Sequence, residues 1–124
     1  MKEVILPAYR QGRANAGKKG DGEIAVELGF SFKNPEEIVK SEWRSLGFYH
    51  KDSWSIPNPI AVEEEGRKVS VDDVRRNVHL CRNWRDVVSL IDEYSRIGVT
   101  SFSLFTGAEK RQIHRIADNV LKAF

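Results

Sequence analysis

The 124-residue chain has a single cysteine, Cys81, a single methionine and only four prolines. One cysteine excludes an internal disulfide and any zinc site built from several thiolates. No apolar run approaches the roughly 20 residues that cross a bilayer. The opening Met1-Lys2-Glu3-Val4-Ile5-Leu6-Pro7 lacks the apolar core and small-residue cleavage site of a signal peptide. An excess of one charge is missing too: 20 Lys and Arg stand against 18 Asp and Glu, for a net charge of +2. That balance does not point to nucleic acid or to a membrane surface. The three histidines, His50, His79 and His114, are scattered without metal-ligand spacing. The expectation is a soluble protein of a reducing, cytoplasmic setting with no metal, nucleic-acid or membrane partner.

What is present suits one packed domain. Hydrophobic residues make up 40% and charged residues 31% of the chain, enough for a core and too apolar for disorder. Residues 4 to 16 read as a helix with Pro7 in its first turn, stopped by Gly17-Lys18-Lys19-Gly20-Asp21-Gly22. That glycine-rich stretch is no phosphate loop, because it lacks the Gly-Lys-Ser/Thr ending and precedes a strand. Residues 23 to 32 alternate, with Ile24, Val26, Leu28 and Phe30 on one face, and so read as a strand. Asn34-Pro35-Glu36-Glu37 is a helix start, and that helix is expected to reach Leu46 and stop at Gly47. An irregular stretch, 48 to 76, follows, with short helices expected at 59 to 66 and 70 to 76, the second capped by Ser70. Residues 77 to 81 form a short strand. The set Val87, Leu90, Ile91, Tyr94 and Ile97 marks a helix over 84 to 97, and Gly98 stops it. Residues 99 to 105 are a third strand. Ile113, Ile116, Ala117, Val120, Leu121 and Phe124 stripe a last helix over 108 to 123.

Strands alternating with helices imply βαβ units and a parallel sheet. Three strands leave two long edges, and parallel sheets want cover on both faces. The chain is therefore either a very small α/β domain or part of something larger.

The second half is similar to a known family. The segment Tyr94-Ser95-Arg96-Ile97-Gly98-Val99-Thr100-Ser101-Phe102-Ser103-Leu104-Phe105, with the closing helix through Ala117 to Phe124, resembles the end of luciferase-like (β/α)8-barrel oxidoreductases. Upstream, Val4 to Gly12 resembles the helix before that family's sixth strand, Ile24 to Phe32 the sixth strand, Asp52 to Glu65 the insertion helix, and Val78 to Cys81 the seventh strand. The nearest branch is the coenzyme F420-dependent one, close to the glucose-6-phosphate and secondary-alcohol dehydrogenases. The resemblance implies an α/β fold consisting of the last three βα units, strands six to eight, of a TIM barrel. Residues 1 to 124 would be one partial-barrel domain with a helical insertion at 48 to 76. It implies hydride transfer between coenzyme F420, or alternatively FMN, and a small-molecule substrate such as an alcohol, sugar phosphate or pterin. A complete barrel takes about 250 residues, so five strands are missing, and with them the family's acid–base residues. Such a chain is expected to be a truncated frame, one piece of a split enzyme or a degenerate copy, inactive alone. The alternative is a structural protein that forms a homo-oligomer, or that docks on a chain bearing the first five strands.

In barrels, phosphate groups often bind after strands seven and eight. Arg82 can offer a bidentate pair, and Asn83 opens a helix N-terminus; Thr106 and Gly107 stand after the last strand. In the sugar-phosphate branch basic residues of the insertion grip the phosphate, and Lys51 and Arg76 lie in comparable regions. Each also reads as a solvated loop charge or a plain turn. His79 and Cys81 are two apart on a strand, about 7 Å at the backbone, which favours packing over a nucleophile pair. Glu63-Glu64-Glu65 reads as a solvated face. Phe48, Tyr49 and Trp54 around Lys51 read as aromatics packed on a rim, with a substrate lid or a stacking surface as the other readings.

Overall fold

A computed structural model describes residues 3–50, 55–105 and 110–124. The element order is α1 (Ile5–Asn15), β1 (Ala25–Ser31), α2 (Pro35–Glu42), a 3-10 turn (Trp43–Ser45), α3 (Gly47–His50), α4 (Pro59–Gly66) and α5 (Val71–Asn77). Then come β2 (His79–Leu80), α6 (Trp84–Arg96), β3 (Ser101–Phe105), α7 (Lys110–Asn119) and a final 3-10 turn (Leu121–Ala123).

Local chemistry sets most of these boundaries. Asn34, Asn58, Ser70 and Asn83 each accept backbone N–H donors at the start of α2, α4, α5 and α6, as caps of these types do. Gly98, at φ 104°, ends α6 in a backbone region closed to side chains with a Cβ. Gly47 does not stop α2. The helix gives way earlier, at Trp43, and Gly47 opens α3 instead. The reason is packing: a Cβ on Gly47 would overlap the Val62 carbonyl, and one on Gly66 the Trp43 carbonyl. The α3 and α4 backbones touch there, so these glycines serve close approach and not a turn. The last helix likewise ends early, at Asn119, although the apolar spacing runs on to Phe124.

The protein is an α/β structure with a three-stranded, wholly parallel sheet. Its order is β2-β1-β3. A barrel sector sets consecutive strands side by side, so the expected neighbours were β1-β2-β3; here β1 is central. Strand length gives the reason. β2 has two residues and pairs with β1 only at Phe30↔His79 and Ser31↔Leu80, whereas β1 offers β3 five register pairs, from Ala25↔Ser101 to Gly29↔Phe105.

Two separate apolar clusters result. Leu28, Phe30, Cys81, Val87, Ile91 and Val120 join one face of the sheet to α6 and the chain end, with Phe102, Leu104 and Ile116 packed around them. Ile38, Leu46, Val69 and Val74 form a second cluster that joins α2 and the turn after it to the helical insertion. On the opposite sheet face Ala25 and Glu27 of β1 and Ser103 and Phe105 of β3 are exposed. No described helix is long and apolar enough to cross a membrane.

Candidate functional site

In parallel βα structures ligands bind beyond the carboxyl ends of the strands. Here that edge carries Phe32 and Lys33 after β1, and Cys81, Arg82 and Asn83 after β2. Three aromatic rings fill it. Phe32 meets Trp84 edge-on at 4.7 Å between centroids, and Phe30 lies 5.6 Å from Phe32 and 6.0 Å from Trp84. This trio is absent from the sequence reading. Its signal was available: two phenylalanines at i and i+2, and a tryptophan opening the helix after the neighbouring strand. Edge-to-face packing of this kind adds to simple burial, so the trio plugs the end of the sheet.

Among the described residues, the expected phosphate ligands Arg76, Arg82 and Asn83 have partners within the chain. The Arg82 backbone N–H donates to Asp86 Oδ2 at 2.7 Å, and its Nε lies 3.4 Å from the same oxygen. Asn83 Oδ1 accepts from the N–H groups of Arg85 and Asp86. The Arg82 N–H, helped by the guanidinium, holds the Asp86 carboxyl below the usual carboxylate range. The helix N-terminus thus already holds an anion, supplied by its own first turn. Arg76 is paired with Asp73 on its own helix. Lys51, Thr106 and Gly107 lie outside the described residues, as does Trp54. Among the described residues, the Arg76 and Arg82 guanidinium groups are paired with Asp73 and Asp86. Arg76, Arg82 and Asn83 thus each have a partner within the chain, in internal pairing and capping.

Cys81 is a core residue at 7% exposure. Burial, with the Asp86 charge, pushes its thiol pKa up, which keeps the poorly nucleophilic protonated form. His79 turns to Tyr94 instead, Nε2 and the hydroxyl 3.5 Å apart with the rings crossed at 86°. His114 is exposed on α7. Glu63 and Glu64 are solvent-facing, but Glu65 is not: its carboxylate lies 2.8 Å from Lys68 Nζ and 3.6 Å from His50 Nε2. No group of three metal-ligating side chains occurs among the described residues.

The insertion holds an open cavity of 690 Å³, lined by Arg44, Phe48, Ile56, Pro57, Pro59 and Val62 among others. Phe48 is half exposed, and its ring lines this groove. Tyr49 is more enclosed. Its burial, with Glu42 and Glu27 nearby, raises the phenol pKa, so it stays neutral.

The other outstanding surface lies at the far end of the sheet. Among the described residues, β3 pairs only with β1. The elements after β3 bury Val120 and half-bury Ile116 but leave Ile113 (68%), Leu121 (68%) and Phe124 (71%) exposed, and Phe105, on the other face of β3, is exposed at 59%. Exposed apolar side chains of this size are candidates for a contact surface. The chain matches no protein-family model, and no curated protein is significantly similar to it.

Proposed function

We propose that the chain is an assembly unit without chemistry of its own, working through the free edge of β3 and the exposed apolar side chains of the elements after it. The carrying observation is that β3, among the described residues, pairs on one side only, and that Ile113, Leu121 and Phe124 of the elements following it are each more than two-thirds exposed. Two further facts support it. No polar or charged residue is buried among the described ones, whereas catalytic acids and bases draw shifted pKa values from burial. The candidate cations are also engaged by neighbouring carboxylates. The test is light scattering over a concentration series, with an Ile113→Ser/Leu121→Ser double variant. Association that the double variant weakens supports the reading; a monomer at every concentration contradicts it.

The second reading, hydride transfer in a luciferase-like oxidoreductase, has one observation in its favour. Residues Tyr94 to Phe105, which carry the strongest resemblance, form the end of α6 and the following strand, as in a barrel's last units. In that reading the chain is the closing part of a TIM barrel, and coenzyme F420, or FMN, and the substrate are held by the first five strands. Closing the cylinder requires β3 to leave β1 and pair on the free edge of β2. Titration with the deazaflavin in the presence of a chain bearing the first five strands tests it. Co-elution and coenzyme binding support this reading, and no affinity of either kind sinks it.

A further inference from the structure

We infer that the occupant of the β3 edge is a second copy of this chain, joined by antiparallel pairing of the two β3 strands about a two-fold axis at Ser103. The inference rests on the assembly reading above and names its partner. Ser101-Phe102-Ser103-Leu104-Phe105 contains no charge and no proline, the usual devices that stop edge strands from pairing. Its polarity pattern is close to a palindrome. With Ser103 opposite the second copy's Ser103, Phe102 falls opposite the second copy's Leu104, and Ser101 opposite the second copy's Phe105. Phe102 and Leu104 both pack against the sheet cluster of Leu28, Phe30 and Val120. Apolar therefore meets apolar across the strands on the covered face, and the two cores join.

Cross-strand pairs of this type are the unit of sheet stabilisation. A two-fold axis uses the same patch on both copies and closes the assembly. The result is a continuous six-stranded sheet in which β3 is no longer an edge. Ile116 packs on the same cluster as Leu104, so α7 covers the face that the two copies would share. The net charge of +2 sets no long-range barrier between copies.

Ser103 is exposed, so it can be changed without touching the core. In an antiparallel pair directly opposed Cα atoms lie about 4.5–5.5 Å apart, within the span of a disulfide. The experiment oxidises Ser103→Cys in the full chain under mild conditions, with Ser45→Cys, exposed in the 3-10 turn after α2, as the control. Ser103→Lys is assayed by light scattering. Ser103→Cys is expected to give a covalent dimer at least ten times faster than Ser45→Cys, and Ser103→Lys to raise the dimer dissociation constant at least tenfold through like charges at the axis. A dimer in which neither variant has an effect overturns the β3 axis but leaves the assembly reading standing. A monomeric mass for the unaltered chain at all concentrations overturns both.

Discussion

The insertion and the β3–α7 end meet the same problem, covering apolar surface, and solve it differently. In the insertion α3, α4 and α5 close on each other and on α2, which precedes them: Val74 is wholly buried and Ile38 nearly so, Asn58 and Ser70 cap helix starts, and Gly47 and Gly66 let backbones touch. At the other end β3 has one neighbour and the α7 stripe is mostly uncovered. Both regions carry comparable apolar patterns. The difference is geometric: the insertion's helices pair among themselves and with α2, whereas α7 has only one sheet face on which to set a wide stripe. Self-sufficiency is thus a local property, and the uncovered end is where association belongs.

The largest effects should come from the cores. Leu28→Ala in the sheet cluster and Ile38→Ala in the second cluster should each cost about 3 kcal/mol in urea unfolding. The two clusters have no buried residue in common, so the double variant should show the sum; strong coupling would mean that they form one core. Next is Gly66→Ala, whose methyl meets the Trp43 carbonyl. Overpacking at backbone contact should cost about 2–3 kcal/mol, and an unchanged unfolding midpoint would remove the crossing from the account.

Ser70→Ala should cost about 1 kcal/mol as a lost cap, and it also predicts a pH effect. The Ser70 hydroxyl, then the Ser70 N–H and Arg76, hold the Asp73 carboxyl down at about 2, from an ordinary 3.8. A depressed acid stabilises the fold above its unfolded pKa, and that contribution drains away as pH falls from about 3.8 toward 2. Ser70→Ala should lift the Asp73 pKa and flatten this acid limb, read by nuclear magnetic resonance titration; an unmoved Asp73 would break the link. The smallest effect is expected for Arg82→Ala, within about 0.5 kcal/mol for an exposed pair. Millimolar phosphate should leave the melting temperatures of parent and variant equally unchanged. A phosphate-dependent rise lost in the variant would restore Arg82 as an anion ligand.

Local signals in the sequence were read well where chemistry acts over a few residues. Asn34-Pro35, Ser70 with Asp73, and Gly98 each mark a boundary that the structure keeps, because caps and positive φ are one-residue matters. Gly47 misled because glycine has two uses, and only the Val62 backbone, far along the chain, shows which applies. Strand order was hidden for a similar reason. Alternation specifies that β1, β2 and β3 are strands, but the competition for edges of β1 is settled by how much ladder each partner offers. At the candidate site the sequence offers ligand types but not their partners: Arg76 and Arg82 are good anion ligands by type, and Asp73 and Asp86, three and four residues away along the chain, pair with them in the structure. The aromatic trio of Phe30, Phe32 and Trp84 needed the β1–β2 register to become visible.

Light scattering of the unaltered chain during size exclusion, across a wide range of concentrations, bears most directly on whether the β3–α7 end is a contact surface. A mass approaching twice the 14.2 kDa of one chain, falling as the protein is diluted, is the expected result. A constant 14.2 kDa at every concentration would contradict it.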